Sequence, residues 1–172
     1  KSQGAFPVAA RSSASGEDSS DFSYAGQFVT VLHIATEKDL IGAIKKCFQA
    51  VHRKASRAYA EHFDQTEIPM HVLVQKMIDS QFSGVYFSID PRSENSSWLV
   101  EVVEGQGEQL VSGQVTPFRF KANEDGTAPK AWKKEYLDHV IHWGQQVENA
   151  FGYKVDMEWA IDQEGTFWIL QS

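Results

Sequence analysis

One cysteine, Cys47, among 172 residues leaves no internal disulfide to hold a fold together. Cohesion must come from an apolar core, and a reducing, cytoplasmic setting fits. No apolar run approaches the roughly 20 residues of a membrane-crossing helix, and no segment has the form of a secretory signal. Positive charge is scarce: 16 Lys and Arg stand against 23 Asp and Glu, a formal net charge of −7. That balance excludes a general nucleic-acid surface, which needs a basic face. It leaves room for a nucleotide, which needs only a local positive pocket.

What is present suffices for a core. At 42% hydrophobic and 12% aromatic residues, the composition is not that of a disordered chain. Cys47 reads as a packing residue on a helix. The length fits one domain. The first residue is not Met, the opening "KSQGAFPVAARSS" already heads into a strand, and "LQS" closes the sequence in mid-strand. Both ends read as cut, so the expectation is a single partial domain over residues 1–172.

Residues 7–11 read as a short strand and 12–27, rich in Ser, Gly and Asp, as a long loop. A loop of that length in a compact domain is usually functional or disordered. Residues 28–34 read as a strand. Thr36 with Asp39 resembles a capping box opening a helix, and Leu40, Ile41, Ile44, Phe48, Val51 and Ala55 continue it at helical spacing to about residue 60. Strands are expected at 70–78, 84–89, 97–104 and 118–122, with loop, short strand and turn across 105–117. Trp132, Tyr136, Val140, Ile141, Val147 and Phe151 mark a second helix that Gly152 stops. The fold class is α+β, a mainly antiparallel sheet with two long helices.

The closing segment "VDMEWAIDQEGTFWILQS" places Asp156 and Glu158 two apart in an apolar, strand-like run. Side chains alternate across a strand, so the two acids share one face. A four-residue turn at 162–165 makes Trp159 face Trp168, Glu158 face Ile169 and Asp156 face Gln171, and a two-residue turn at Glu164-Gly165 gives the same parity. Val155, Met157, Trp159, Trp168 and Leu170 then form the apolar face, and Phe167 and Ile169 join the acids. A three-residue turn would put Gln171 among the core residues, which its amide opposes, so the hydrophobic pattern selects the first register. Two readings of the acidic face stand. It is a solvent-facing strand pair with ordinary surface acids, or Asp156, Glu158 and Gln171 form an oxygen donor set for a hard cation such as Mg2+, shared with phosphate.

"ARSSASGEDSSDFSYAGQF" offers Arg11 at a strand end, hydroxyls at Ser12, Ser13 and Ser15, and backbone N–H groups around Gly26. A guanidinium can clasp phosphate in two contacts. No GK[ST] follows, so this is not a Walker loop, and a plain flexible loop has the same composition. "GQGE" at 105–108 lacks the G-x-G-x-x-G pattern of a dinucleotide site and reads as a turn.

In order along the chain, "VAARSSASGED…SYAGQF", "VLVQKMIDSQFSGVYFSIDP", "GQGEQLVSGQVTP" and "DMEWAIDQEGTFWILQS" resemble the ATP-binding region of phosphoenolpyruvate synthases and pyruvate phosphate dikinases. The pairing of "SYAGQ" with "VSGQVTP" is closer to the synthase branch, which includes rifampin phosphotransferases. The resemblance implies an ATP-grasp fold, with ATP in a cleft between α+β subdomains. It also implies ATP and Mg2+ as cofactors and a phosphotransferase activity. In that activity ATP phosphate passes to a histidine on a swivelling domain and then to pyruvate or another acceptor. Residue by residue, it implies that Arg11 contacts phosphate and acts in catalysis. Ser23, Tyr24, Ala25, Gly26 and Gln27 would close over the phosphates, and Gln75, Lys76 and Met77 would line the adenine edge. Asp156 and Glu158 would hold the metal with Gln171.

The family's Arg after "LQS", its preceding phosphate-binding Lys and its Ser-His acceptor motif have no counterpart in these residues. The 172 residues by themselves are therefore expected to turn over no ATP. The six histidines are scattered, and His139 and His142 share a helix face without a third ligand. The partners implied are ATP, a phosphohistidine domain and a pyruvate domain, with no nucleic acid and no membrane. The alternatives are an ATP-grasp ligase, a rifampin phosphotransferase-like antibiotic kinase, and a non-catalytic domain that keeps the fold.

Overall fold

A computed structural model describes residues 6–14, 18–19, 22–23, 29–50, 70–93, 97–111, 113–122 and 126–172. They fall into two compact units, Lys1–Met77 and Ile78–Ser172.

Among the described residues, the first unit has a three-stranded antiparallel sheet with a helix on it. Its strands are β1 (Val8–Ala14), β4 (Thr30–Ile34) and β5 (Met70–Lys76), in the order β4-β1-β5. The stretch expected to be a long loop carries the end of β1 and a two-stranded ladder, β2 (Asp18–Ser19) with β3 (Phe22–Ser23). Helix α1 (Glu37–Ala50) begins as its capping residues imply: the Thr36 hydroxyl accepts from the Asp39 N–H at 3.2 Å and donates to the Asp39 carboxylate at 2.7 Å. The expected continuation of this helix to residue 60 lies outside the described residues.

The buried stripe of α1 differs from the one its large apolar residues suggest. Ala43 and Cys47 are buried with Leu40 beside them, while Ile41 and Phe48 are exposed. Small residues let the helix lie close to β1. The Cys47 thiol reaches the Ala10 carbonyl at 3.8 Å and the Val29 carbonyl at 3.6 Å. Burial pushes this thiol's pKa up despite those backbone contacts, which makes it a packing group.

The second unit is a five-stranded antiparallel sheet in the order β10-β9-β6-β7-β8. These strands are β6 (Ser80–Phe87), β7 (Leu99–Glu104), β8 (Phe118–Lys121), β9 (Asp156–Asp162) and β10 (Phe167–Gln171). A short helix, α2 (Glu108–Val111), stands where a short strand was expected. The long helix α3 (Lys134–Phe151) packs on one face of the sheet. Phe82, Tyr86, Val100, Val102, Phe120, Met157, Trp159 and Ile161 make the core with Tyr136 and Val140 of α3. Trp132 precedes the helix and joins the aromatic cluster from a turn, 5.3 Å from Phe82 and 5.5 Å from Phe120. Gly144 completes the helix's buried stripe: a Cβ there would meet the Tyr86 ring at 2.5 Å. Close packing offsets the roughly 1 kcal/mol that an interior helical glycine costs.

Gly152 ends α3 in the left-handed region (φ 77°), its N–H donating to the Glu148 carbonyl at 2.8 Å. Gly152→Val meets no neighbouring atom, so its cost is conformational, about 1 kcal/mol or more. The expected result is a melting temperature lower by roughly 2–4 °C. An unchanged thermal melt would show that the helix end tolerates a side chain.

Candidate functional site

The closing hairpin turns through three residues, not four. Ile161 faces Phe167, Ala160 faces Trp168 and Trp159 faces Ile169, and the Asp162 N–H donates to the Thr166 carbonyl at 3.0 Å. This reverses the expected faces of residues 167–169. Two contacts select it. Phe167 stacks on the buried Trp159 at 6.2 Å, and the Trp168 indole N–H donates to the Asp162 carboxylate at 2.8 Å on the opposite face. The register then shifts between Ile169 and Gln171, so that Gln171 faces Glu158. A bulge inserts one extra residue and so restores the phase of the strand.

Glu158 therefore has Gln171 on one side and Val85 on the other, and Asp156 faces Phe87. Asp156 and Glu158 share the face away from the core, since the intervening Met157 is fully buried. Asp156 and Gln171 are exposed and Glu158 is half-buried. The two carboxylates and the amide carbonyl offer oxygen atoms, the chemistry that hard cations accept. Among the described residues, no three His, Cys, Asp or Glu side chains gather into a metal-holding group. His139 and His142 are exposed on α3.

Asp162 lies further along the same strand face but is committed to the turn. Its carboxylate accepts from the Thr166 N–H at 2.7 Å and the Glu164 N–H at 3.1 Å, besides Trp168. Burial would raise its pKa, yet these hydrogen bonds outweigh that effect and lower it.

The same face continues across the sheet. Val85 faces Glu101 on β7, and Glu101 faces Arg119 on β8, so one row runs Gln171, Glu158, Val85, Glu101, Arg119 across all five strands. Glu101 is buried, at 2.9 Å from Arg119 and 2.7 Å from Arg92. Lys121 stands 2.9 Å from the buried Asp90. No local sequence motif announces these residues: they meet only through strand pairing and the turn after β6.

The Arg92 backbone N–H foremost, then Lys121, hold the Asp90 carboxyl below its ordinary value of 3.8, against the effect of burial. A lowered folded-state pKa stabilises the fold above about pH 4, and that contribution is lost as pH falls further. Asp90→Asn should therefore flatten the fall of melting temperature as pH drops below about 4. An identical slope in the variant would show that Asp90 is not one of the groups linking stability to acid.

In the first unit, Arg11 faces Thr30 and Leu73 from the middle strand, half-buried. Gln75 faces Ala9 and Lys76 faces Val8. The Met77 N–H donates to the Pro7 carbonyl at 3.0 Å. Backbone groups alternate in direction along an antiparallel ladder. Met77 and Gln75 thus turn theirs toward β1, and Lys76 turns its N–H and C=O to the outer edge. Ser23 ends β3, while Tyr24, Ala25, Gly26 and Gln27 lie outside the described residues.

Antiparallel sheets carrying helices make the protein α+β, and the family it matches is ATP-grasp-like. The chain belongs to the pyruvate phosphate dikinase, AMP/ATP-binding domain family, whose model matches residues 1–128. It is 30% identical to a probable phosphoenolpyruvate synthase of Archaeoglobus fulgidus, with 96% of this chain and 26% of the relative covered. The phosphoenolpyruvate synthase of Pyrococcus furiosus is also 30% identical, with 96% and 25% covered. A rifampicin phosphotransferase of Bacillus cereus is 30% identical, with 95% and 23% covered. The chain thus spans about a quarter of the length of these relatives. Among the described residues no helix is long and apolar enough to cross a membrane.

Proposed function

We propose that residues 1–172 act together as the nucleotide-binding part of a phosphoenolpyruvate synthase-like phosphotransferase. The intact protein would pass ATP phosphate to a histidine on another domain and then to pyruvate. The observation that carries this reading is the donor set on one strand face: Asp156 and Glu158 together, with Gln171 opposite Glu158. Those oxygens suit Mg2+, which when bound would neutralise charge on the phosphates.

Arg11 would hold a phosphate oxygen through its planar fork. Ser23 and residues 24–27 would cover the phosphates and exclude water. The outward backbone of Lys76, within the Gln75–Met77 stretch, would meet the adenine edge. No residue here needs to be a covalent nucleophile, since phosphoryl transfer rests on positioning and charge neutralisation. The single, buried Cys47 accords with a cytoplasmic setting.

Likeness to a rifampicin phosphotransferase supports a second reading of the acceptor, rifampicin in place of pyruvate. The test is to incubate the intact protein with Mg2+ and phosphate-labelled ATP. An acid-labile, base-stable phosphohistidine that pyruvate discharges is the expected result, and discharge by rifampicin instead selects the second acceptor. Label in a hydroxylamine-sensitive acyl phosphate would place the protein among ligases. ATP binding with no label transferred would leave a non-catalytic domain.

A further inference from the structure

Two buried carboxylates lie near the far side of the five-stranded sheet, and the sequence treats them differently. Among the described residues, Asp90 is ion-paired with Lys121. Glu101, its side chain 7% exposed, is met by two, Arg92 and Arg119, both on the same oxygen, Oε1. Among the described residues these two carboxylates are met by three cationic side chains, Lys121, Arg92 and Arg119, which leaves the group with one surplus positive charge.

The geometry directs that surplus outward. Arg119 reaches Glu101 through Nε, so that contact does not itself use the two terminal nitrogens of its guanidinium. Arg92 reaches it through one terminal nitrogen, Nη1. The guanidinium-bearing side chains are 52% and 40% exposed for Arg92 and Arg119. Glu101 thus acts as a buried anchor that fixes two forks at the surface, and anchored forks lose less freedom on binding than flexible ones.

We propose that Arg92 and Arg119, held by Glu101, form a binding subsite for a tetrahedral oxyanion of the phosphate class. Its anchor, Glu101, lies in the same cross-strand row as Glu158, two strands away, about 10 Å along the sheet, and Arg119 stands one strand further. Planar forks match phosphate oxygens in paired contacts, which selects this chemistry over a halide. The subsite stands on the sheet geometry and does not require ATP to be the ligand. Its anion could be a phosphate of a nucleotide or a free phosphate species.

The test titrates the intact protein with inorganic pyrophosphate and, separately, inorganic phosphate, against chloride at matched ionic strength. Saturable binding is expected, weakened at least about tenfold by Arg119→Ala and partly by Arg119→Lys, which keeps charge but loses the fork. Lys130→Ala, an exposed cation elsewhere, should change it less than about twofold. If Arg119→Ala fails to fold, Arg92→Ala and Arg119→Lys carry the comparison. A parallel loss of ATP affinity in the arginine variants assigns the anion to the nucleotide, and unchanged ATP affinity assigns it to free phosphate. No saturable binding of either probe, or equal binding by wild type and every arginine variant, overturns the subsite. Failure of ATP to bind while pyrophosphate binds would overturn the nucleotide reading and leave this one standing.

Discussion

Glu158→Gln in the intact protein is expected to weaken Mg2+-dependent ATP binding by at least about tenfold, ~1.4 kcal/mol, with little change in melting temperature. The amide keeps the volume of a half-buried side chain between Val85 and Gln171. It removes the negative charge that a hard cation selects, and a neutral amide is a weaker ligand for it. Asp162→Asn makes the informative contrast. Asp162 shares the strand face, but its carboxylate serves two turn amides and the Trp168 indole. That variant should lower the melting temperature and leave ATP affinity unchanged. Calorimetry at saturating Mg2+ decides the matter: equal ATP affinity in Glu158→Gln and wild type removes Glu158 from the proposed metal site.

Gly84→Ala is expected to be the most damaging small substitution in the second unit. Gly84 lies on β6 between Trp159 and Val102. A Cβ there would fall 1.8 Å from the Glu101 carbonyl oxygen and 2.7 Å from the Trp159 ring. The first obstacle is backbone within a central ladder and cannot swing aside. Overpacking of this kind costs about 1–3 kcal/mol or more, and the rigid neighbour places this site at the upper end. A fall of roughly 6–12 °C in melting temperature follows at about 3 kcal/mol. Gly42→Ala is the control, because a Cβ at Gly42 meets nothing within 4 Å. Equal melting temperatures for the two variants would mean that β6 and β7 can separate at little cost.

Much of the site was legible because strand alternation is a local property. Asp156 and Glu158 share a face in any register, so their pairing followed from spacing alone. Gln171 reached its expected partner strand for a reason the sequence did not reveal. The hairpin register differs from the one the apolar pattern implies, because the Trp168 indole N–H suits that residue equally to a polar face with Asp162. The bulge before Gln171 then restored the phase that the turn had shifted. On α1 the apolar spacing marks the helix but not its buried face, because close packing on the sheet favours the small Ala43 and Cys47 over Ile41 and Phe48.

By itself the sequence determined the α+β class, the positions of most strands, the start of α1 at Thr36, the stop of α3 at Gly152 and the shared face of Asp156 and Glu158. Each rests on residues within a few positions of one another, where backbone geometry and side-chain alternation act directly. Tertiary structure decided the hairpin register, the fit of Gly144 against Tyr86 and the gathering of Arg92 and Arg119 on Glu101. Those depend on which strands and helices become neighbours, and that choice is made by packing and charge pairing between residues distant in the chain.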